Sequence, residues 1–119
     1  MEADDEIKRY AASFLKEFKA LLLEGRFFVK NRLVNRKALV DLGLTERQRE
    51  EEILSLSVLD YSSGPITDEY QPSVYWVFGR NINGKLVYIK LKIACNRYDE
   101  KAVCMSFHEA EYPMEFPFK

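Results

Sequence analysis

At the start of the chain, apolar residues recur at three- and four-residue spacing. Ile7, Tyr10, Ala11, Phe14, Leu15, Phe18, Leu21 and Leu22 share one face, while Lys8, Arg9, Lys16, Glu17 and Lys19 fall mainly elsewhere. That period predicts an amphipathic helix within residues 1–25. Asp4 or Asp5 is placed to cap it and Gly25 to close it. One helix cannot bury such a stripe alone, so the stripe packs on later elements or docks on a partner. Arg26 to Val34 follows with β-branched and aromatic residues among basic ones, the pattern of an exposed or edge strand. Asn35 is positioned to cap a short helix carrying Ala38, Leu39 and Leu42, closed by Gly43. Thr45-Glu46-Arg47-Gln48 has the form of a capping box, in which threonine and glutamine side chains each satisfy an exposed backbone donor. The helix it opens presents Ile53, Leu54 and Leu56 to the core. Ser57 to Ser73 reads as a long loop, of the kind that often carries function or else is disordered.

After Ser73 the period changes from that of a helix to two. Val74 to Ile82 and Lys85 to Ala94 flank Asn83-Gly84, a strong hairpin signal. A two-residue turn fixes the register, so Ile82 faces Lys85, Phe78 faces Ile89, Trp76 faces Leu91 and Val74 faces Ile93. These apolar pairs mark the buried face. The opposite face receives Tyr75 with Lys92, Val77 with Lys90, and Gly79 with Tyr88. Ala102 to His108 supplies a third strand. Pairing Phe107 with Ile89, Met105 with Leu91 and Val103 with Ile93 sends its apolar residues to the core. It also sets His108 beside Tyr88, Ser106 beside Lys90 and Cys104 beside Lys92. The prolines of the tail from Tyr112 to Phe118 exclude regular helix there, and its aromatics are expected to pin it to the body. The expected architecture is one α+β domain over residues 1–119, with N-terminal helices packed on an antiparallel sheet whose core is 74–108.

Composition supports a globular core, with 47% hydrophobic residues, eight Phe, seven Tyr and one Trp in 119 residues. No apolar run reaches the roughly 18 residues that span a membrane, and the acidic Met1 to Glu6 is unlike a secretory signal. A cytoplasmic location is the expectation. The net charge of −1 argues against a whole-molecule attraction to nucleic acid. Bases do collect at Arg26, Lys30, Arg32, Arg36, Lys37, Arg47 and Arg49, against Asp41 and Glu46 alone, so either a local basic surface or an ordinary mixed one is open. Cys95 and Cys104 read as a disulfide, half a metal site or two free thiols. With a single histidine they cannot complete a four-ligand zinc site without carboxylates. No metal or cofactor is expected.

The face shared by Tyr88, Lys90 and His108 carries the candidate chemistry. Imidazole titrates near neutrality, a phenol donates a hydrogen bond, and an ammonium balances a developing anion. Cleavage of RNA by attack of a 2′-hydroxyl on phosphate needs these three services and no metal. A solvated tyrosine–lysine face with a structural histidine is the plainer reading of the same residues.

Several short motifs, in order, add to this. They are Asp60-Tyr61-Ser62-Ser63-Gly64-Pro65, Trp76-Val77-Phe78-Gly79, Val87-Tyr88-Ile89-Lys90, Ser106-Phe107-His108, Pro113-Met114 and Pro117-Phe118. Together they resemble the MqsR-type toxins of bacterial toxin–antitoxin systems, within the RelE-like group, from about Phe27 onward. The resemblance implies a compact RelE-like fold and a metal-independent endoribonuclease that cuts single-stranded messenger RNA and is restrained by a cognate antitoxin protein. It implies an active role for Tyr88. It puts His108 where the pattern has lysine or histidine, and Ser63 near a family lysine that is absent here. On this reading Tyr88 and His108 share acid–base work, while Lys90 and Arg80 hold the scissile phosphate. Lys92, Tyr75 and Tyr61 contact RNA, Tyr61 by stacking on a base. The alternative is an interaction module or degenerate toxin that binds a protein or RNA without cutting it.

Overall fold

A computed structural model of the chain describes residues 2–119, with the backbone alone for Glu2; Met1 lies outside the described residues. Three helices, α1 (Glu2–Leu23), α2 (Leu33–Leu42) and α3 (Glu46–Leu54), pack on a five-stranded sheet. The strands are β1 (Phe27–Val29), β2 (Tyr61–Thr67), β3 (Val74–Ile82), β4 (Lys85–Cys95) and β5 (Glu100–Glu109), in the order β1-β5-β4-β3-β2. The α+β class holds. The sheet is mixed rather than wholly antiparallel, because β1 runs parallel to β5 while the other pairs are antiparallel. The long path between β1 and β5 permits this, since only tightly connected neighbours must run antiparallel. No helix among the described residues is long and apolar enough to cross a membrane.

Helix α1 begins at Glu2, so Asp4 and Asp5 lie inside it rather than capping it. Ala11, Leu15, Phe18, Leu21 and Leu22 are buried against the sheet. The Phe14 ring stacks 5.5 Å from Trp76 and 6.3 Å from Phe78, and Phe18 meets Phe27 edge-on at 6.1 Å. Burying such a side chain contributes about 1.5–3 kcal/mol, so the stripe is spent on the sheet. Tyr10, at the rim of the stripe, stays exposed. Helix α3 starts at the capping box, with Thr45 Oγ1 accepting from Gln48 N and Gln48 Oε1 accepting from Thr45 N. Ile53 and Leu56 are fully buried, and Leu54 packs beside them.

The segment read as a loop holds a 3₁₀ turn, Val58–Asp60, and the strand β2. Gly64-Pro65 concealed that strand. It lies at the sheet edge and shifts register on both sides of Ser63, and an edge strand tolerates a proline without an N–H. The bare Cα of Gly64 allows close approach to β3; a Cβ there would lie 3.0 Å from the Tyr75 carbonyl oxygen and 3.1 Å from Trp76 Cα.

The Asn83-Gly84 hairpin has the expected register from Ile82↔Lys85 to Tyr75↔Lys92. Strand β5 follows its expected register only at one end. Tyr88↔His108, Ile89↔Phe107 and Lys90↔Ser106 pair as read, and a register shift then places Leu91 opposite Cys104, Lys92 opposite Val103 and Ile93 opposite Ala102. Met105 is the extra residue of a β-bulge, which reverses the in–out alternation beyond it. Cys104 and Ala102 therefore enter the core, both fully buried. Asn35 explains why the bulge is stable. It does not cap α2, whose N-cap is Arg32. Its amide instead donates to the carbonyls of Met105 (3.1 Å) and Lys30 (3.1 Å) and accepts from Phe107 N (3.1 Å). Arg32 Nη1 donates to the same Met105 carbonyl at 3.2 Å.

Replacing Asn35 by leucine strands a backbone donor in the core and removes a partner from the bulge carbonyl. The expected cost is about 3 kcal/mol, read as a lower urea midpoint at unchanged slope. An unaltered midpoint would show that the bulge is held by other contacts.

Candidate active site

The sheet face opposite the helices is not open across its width. After β5 the chain turns back over it as a strap. Ala110 N donates to the Leu86 carbonyl at 2.8 Å and Met114 lies against Gly79, after which the tail reaches the helix side, where the Phe118 ring stacks on Tyr61 at 5.0 Å beneath Lys8 of α1. Gly79 permits this path, because a Cβ there would come within 2.7 Å of the Met114 sulfur. Val77 and Gly79 are buried beneath the strap. Between strap, sheet and the start of α2 lies a cleft of about 500 Å³. Tyr88, Lys90, Ser106 and His108 line its sheet side, Arg32, Ser62 and Ser63 its flanks, and residues 110–115 its strap wall.

Paired strands β4 and β5 bring Tyr88 and His108 side by side, their rings stacked with centroids 5.6 Å apart and planes 25° from parallel. His108 Nδ1 lies 2.9 Å from the Glu109 carbonyl oxygen. A carbonyl only accepts, so Nδ1 carries hydrogen and Nε2 of the neutral ring is left as the acceptor. Burial pushes the Tyr88 phenol above its ordinary value, opposed in part by the positive charge of Arg32. The phenol therefore stays protonated at neutral pH and serves as a donor. Lys90 Nζ sits 4.2 Å from the centre of the Tyr75 ring. Such a contact steadies an ammonium without neutralising it.

The remaining sequence candidates are placed otherwise. Arg80 shares its parity with Phe78 and Ile82, so it emerges on the helix side. There it bonds Ser55 Oγ and lies 3.8 Å from a Glu52 carboxylate oxygen. It does not reach the cleft, and its assignment to the phosphate is corrected. Tyr61 is buried, its hydroxyl donating to the Gly64 carbonyl at 2.6 Å and its ring packed on Trp76, Phe78 and Phe118. It has no free face for a base. Lys92 is buried and paired with Asp68 at 3.4 Å, and Tyr75 donates to the same Asp68 oxygen at 2.8 Å. These two residues anchor the β2–β3 connection and support Lys90 from beneath, instead of forming an open contact surface.

The residue missed by the sequence reading is Arg32. It appeared there only as one base among seven, but its Nη1 donates to Ser106 Oγ at 2.9 Å and it flanks the cleft. Of the other bases of that stretch, Arg49 is buried, Arg26 pairs with Glu24 and Asp99, and Arg47 pairs with Glu51, while Lys30, Arg36 and Lys37 are exposed. Both cysteines are free, and burial pushes the Cys104 thiol up to about 12, which removes it as a nucleophile. Among the described residues no group of three or more His, Cys, Asp or Glu converges as metal ligands.

Asp68 is held at about 2 by the Tyr70 backbone N–H, then by the Tyr75 hydroxyl and Lys92. A depressed carboxylate stabilises the fold above its ordinary value near 3.8 and loses that effect as pH falls through about 2. The stability gap between the wild type and Asp68→Asn is therefore widest above about pH 4 and narrows toward pH 2. Urea titrations across that range check this, and a gap independent of pH would show that the charge is not what holds the connection. Compared with known proteins, the chain matches no family, no curated protein and no solved structure.

Proposed function

We propose that the cleft is the active site of a metal-independent endoribonuclease, a toxin of the MqsR type with a RelE-like fold, acting on single-stranded messenger RNA and restrained by an antitoxin protein. The observation that carries the reading is the stacked Tyr88–His108 pair beside two cations not committed to carboxylates, Arg32 and Lys90. The motif resemblance running from Asp60 to Phe118, which includes Tyr88, Lys90 and His108, points the same way.

The chemistry follows from the protonation states. With Nδ1–H bonded to the Glu109 carbonyl, His108 Nε2 takes the proton of the 2′-hydroxyl as its oxygen attacks phosphorus. The bond from phosphorus to the 5′-oxygen breaks, and Tyr88, protonated at neutral pH as a phenol is and held so by burial, gives its proton to that leaving oxygen. The products are a 2′,3′-cyclic phosphate and a 5′-hydroxyl. Arg32 and Lys90 balance the charge on the pentacoordinate phosphorus, as fixed donors do most effectively where water is partly excluded. Arg32 takes the part that the sequence had given to Arg80.

A second reading has one observation behind it. Ser63 stands on the cleft wall near the place where the resemblance calls for a lysine, so a chain that binds RNA without cutting it would account for a site with one cation fewer.

The test is cleavage of a single-stranded RNA by purified protein, with and without chelator. Expected are persistence of cleavage in chelator and loss by about a hundredfold or more in His108→Ala and Tyr88→Phe. Arg32→Ala should also be impaired, whereas Arg80→Ala should cleave like the wild type. Retention of full activity in both His108→Ala and Tyr88→Phe would overturn the assignment, and binding with no cleavage under any condition would favour the second reading.

A further inference from the structure

The cleft is electrically divided. Its sheet side and one flank carry Lys90 and Arg32, whereas the strap wall carries the carboxylates of Glu111 and Glu115. A phosphate is drawn to the first side and repelled from the second. Tyr112, between Glu111 and Glu115 in sequence, also lines the cleft. It is 77% exposed. Among the described residues its ring stacks on no other aromatic and its hydroxyl bonds no side chain or backbone group. The fold thus gains little from it.

The strap beneath Tyr112 is nevertheless well fixed. It is pinned two residues earlier by the Ala110–Leu86 hydrogen bond and two residues later by Met114 against Gly79. A ring on so constrained a backbone loses little freedom when a flat partner settles on it.

We infer that Tyr112 is the platform on which a nucleobase of a single-stranded nucleic acid stacks while the neighbouring phosphate lies against Arg32 and Lys90, an inference that rests on the RNA-binding reading proposed above. Stacking is open to any base, because every base has a π-face. It requires a base not already stacked within a duplex, which selects single strands. Tyr112 takes the role that the sequence had offered to Tyr61, whose ring is enclosed by Trp76, Phe78 and Phe118. The strap carboxylates set the direction of the ligand by keeping its backbone on the sheet side.

Binding of the full chain to an oligodeoxyadenosine, which lacks the 2′-hydroxyl and is not cut, is compared with binding to an abasic strand of equal length and charge. The wild type is expected to prefer the strand with bases by about tenfold. In Tyr112→Ala the preference should vanish, and in Tyr112→Phe it should remain. Lys90→Ala should weaken both strands alike. A tyrosine that merely braced the strap would, on removal, weaken both strands and leave their ratio intact, so an unchanged ratio in Tyr112→Ala overturns the inference, as does a wild type without preference. Cleavage of the matching RNA is scored separately on the same preparations. Base-dependent binding without cleavage sinks the catalytic reading and keeps the platform, while cleavage with a ratio indifferent to Tyr112 does the reverse.

Discussion

A single buried amide, that of Asn35, reconciles two incompatible alternations on β5. Phe107 and His108 must face opposite ways for the core and the cleft to coexist, and Ala102 and Cys104 must both face the core. In a regular strand, Cys104 and His108 share a face. The extra residue at Met105 breaks that rule, at the cost of orphaning backbone groups inside the protein. Asn35 accepts from one and donates to another, and Arg32 adds a second donor to the bulge carbonyl. The same contacts tie α2 to β5 and bring the Arg32 guanidinium round to Ser106. Core packing and the charge of the cleft are thus two consequences of one hydrogen-bond cluster.

Cations near the sheet are distinguished by what already holds them. Lys92 is neutralised by Asp68 and Arg80 by Glu52. Lys90 is steadied by the face of Tyr75, which is itself fixed by its bond to Asp68. A carboxylate partner would have cancelled the Lys90 charge, whereas an aromatic partner orients it and leaves it available to an anion. Asp68 therefore matters to the cleft without entering it. It quenches one lysine and, through Tyr75, positions another.

How far the sequence disclosed this follows from the range of each interaction. The Asn83-Gly84 turn is local, and it set every observed pair from Ile82↔Lys85 to Tyr75↔Lys92. The Tyr88–His108 neighbourhood was legible because β5 is regular from Ser106 onward. Arg80 was misassigned although the hairpin parity already put it with Phe78 and Ile82; following that parity through would have removed it. The bulge was not legible. Val103, Met105 and Phe107 alternate cleanly with Cys104, Ser106 and His108, and the residue that overrides the pattern lies 70 positions from Met105. Tyr61 was misread for a related reason. Its burial depends on Phe118 at the other end of the chain, while Gly64-Pro65 made its own strand look like a loop.

The division of labour between Tyr88 and His108, on the proposed reading, begins with their identities, a phenol that keeps its proton at neutral pH and an imidazole nitrogen that can accept one, and the surroundings of Tyr88 reinforce it. Two groups in one stack serve as acid and base only if one keeps its proton while the other offers a lone pair. Burial raises the Tyr88 phenol, and Arg32 is the group that resists this rise. A phosphate seated on Arg32 cancels much of that resistance, so the phenol holds its proton more firmly with substrate present than without. The cation that recruits the anion thereby also influences how tightly the neighbouring acid holds the proton that the leaving oxygen needs. No such dependence would exist had the phosphate been held by Arg80 on the far side of the sheet. The placement of Arg32 by the β5 bulge consequently bears on binding and on proton delivery at once.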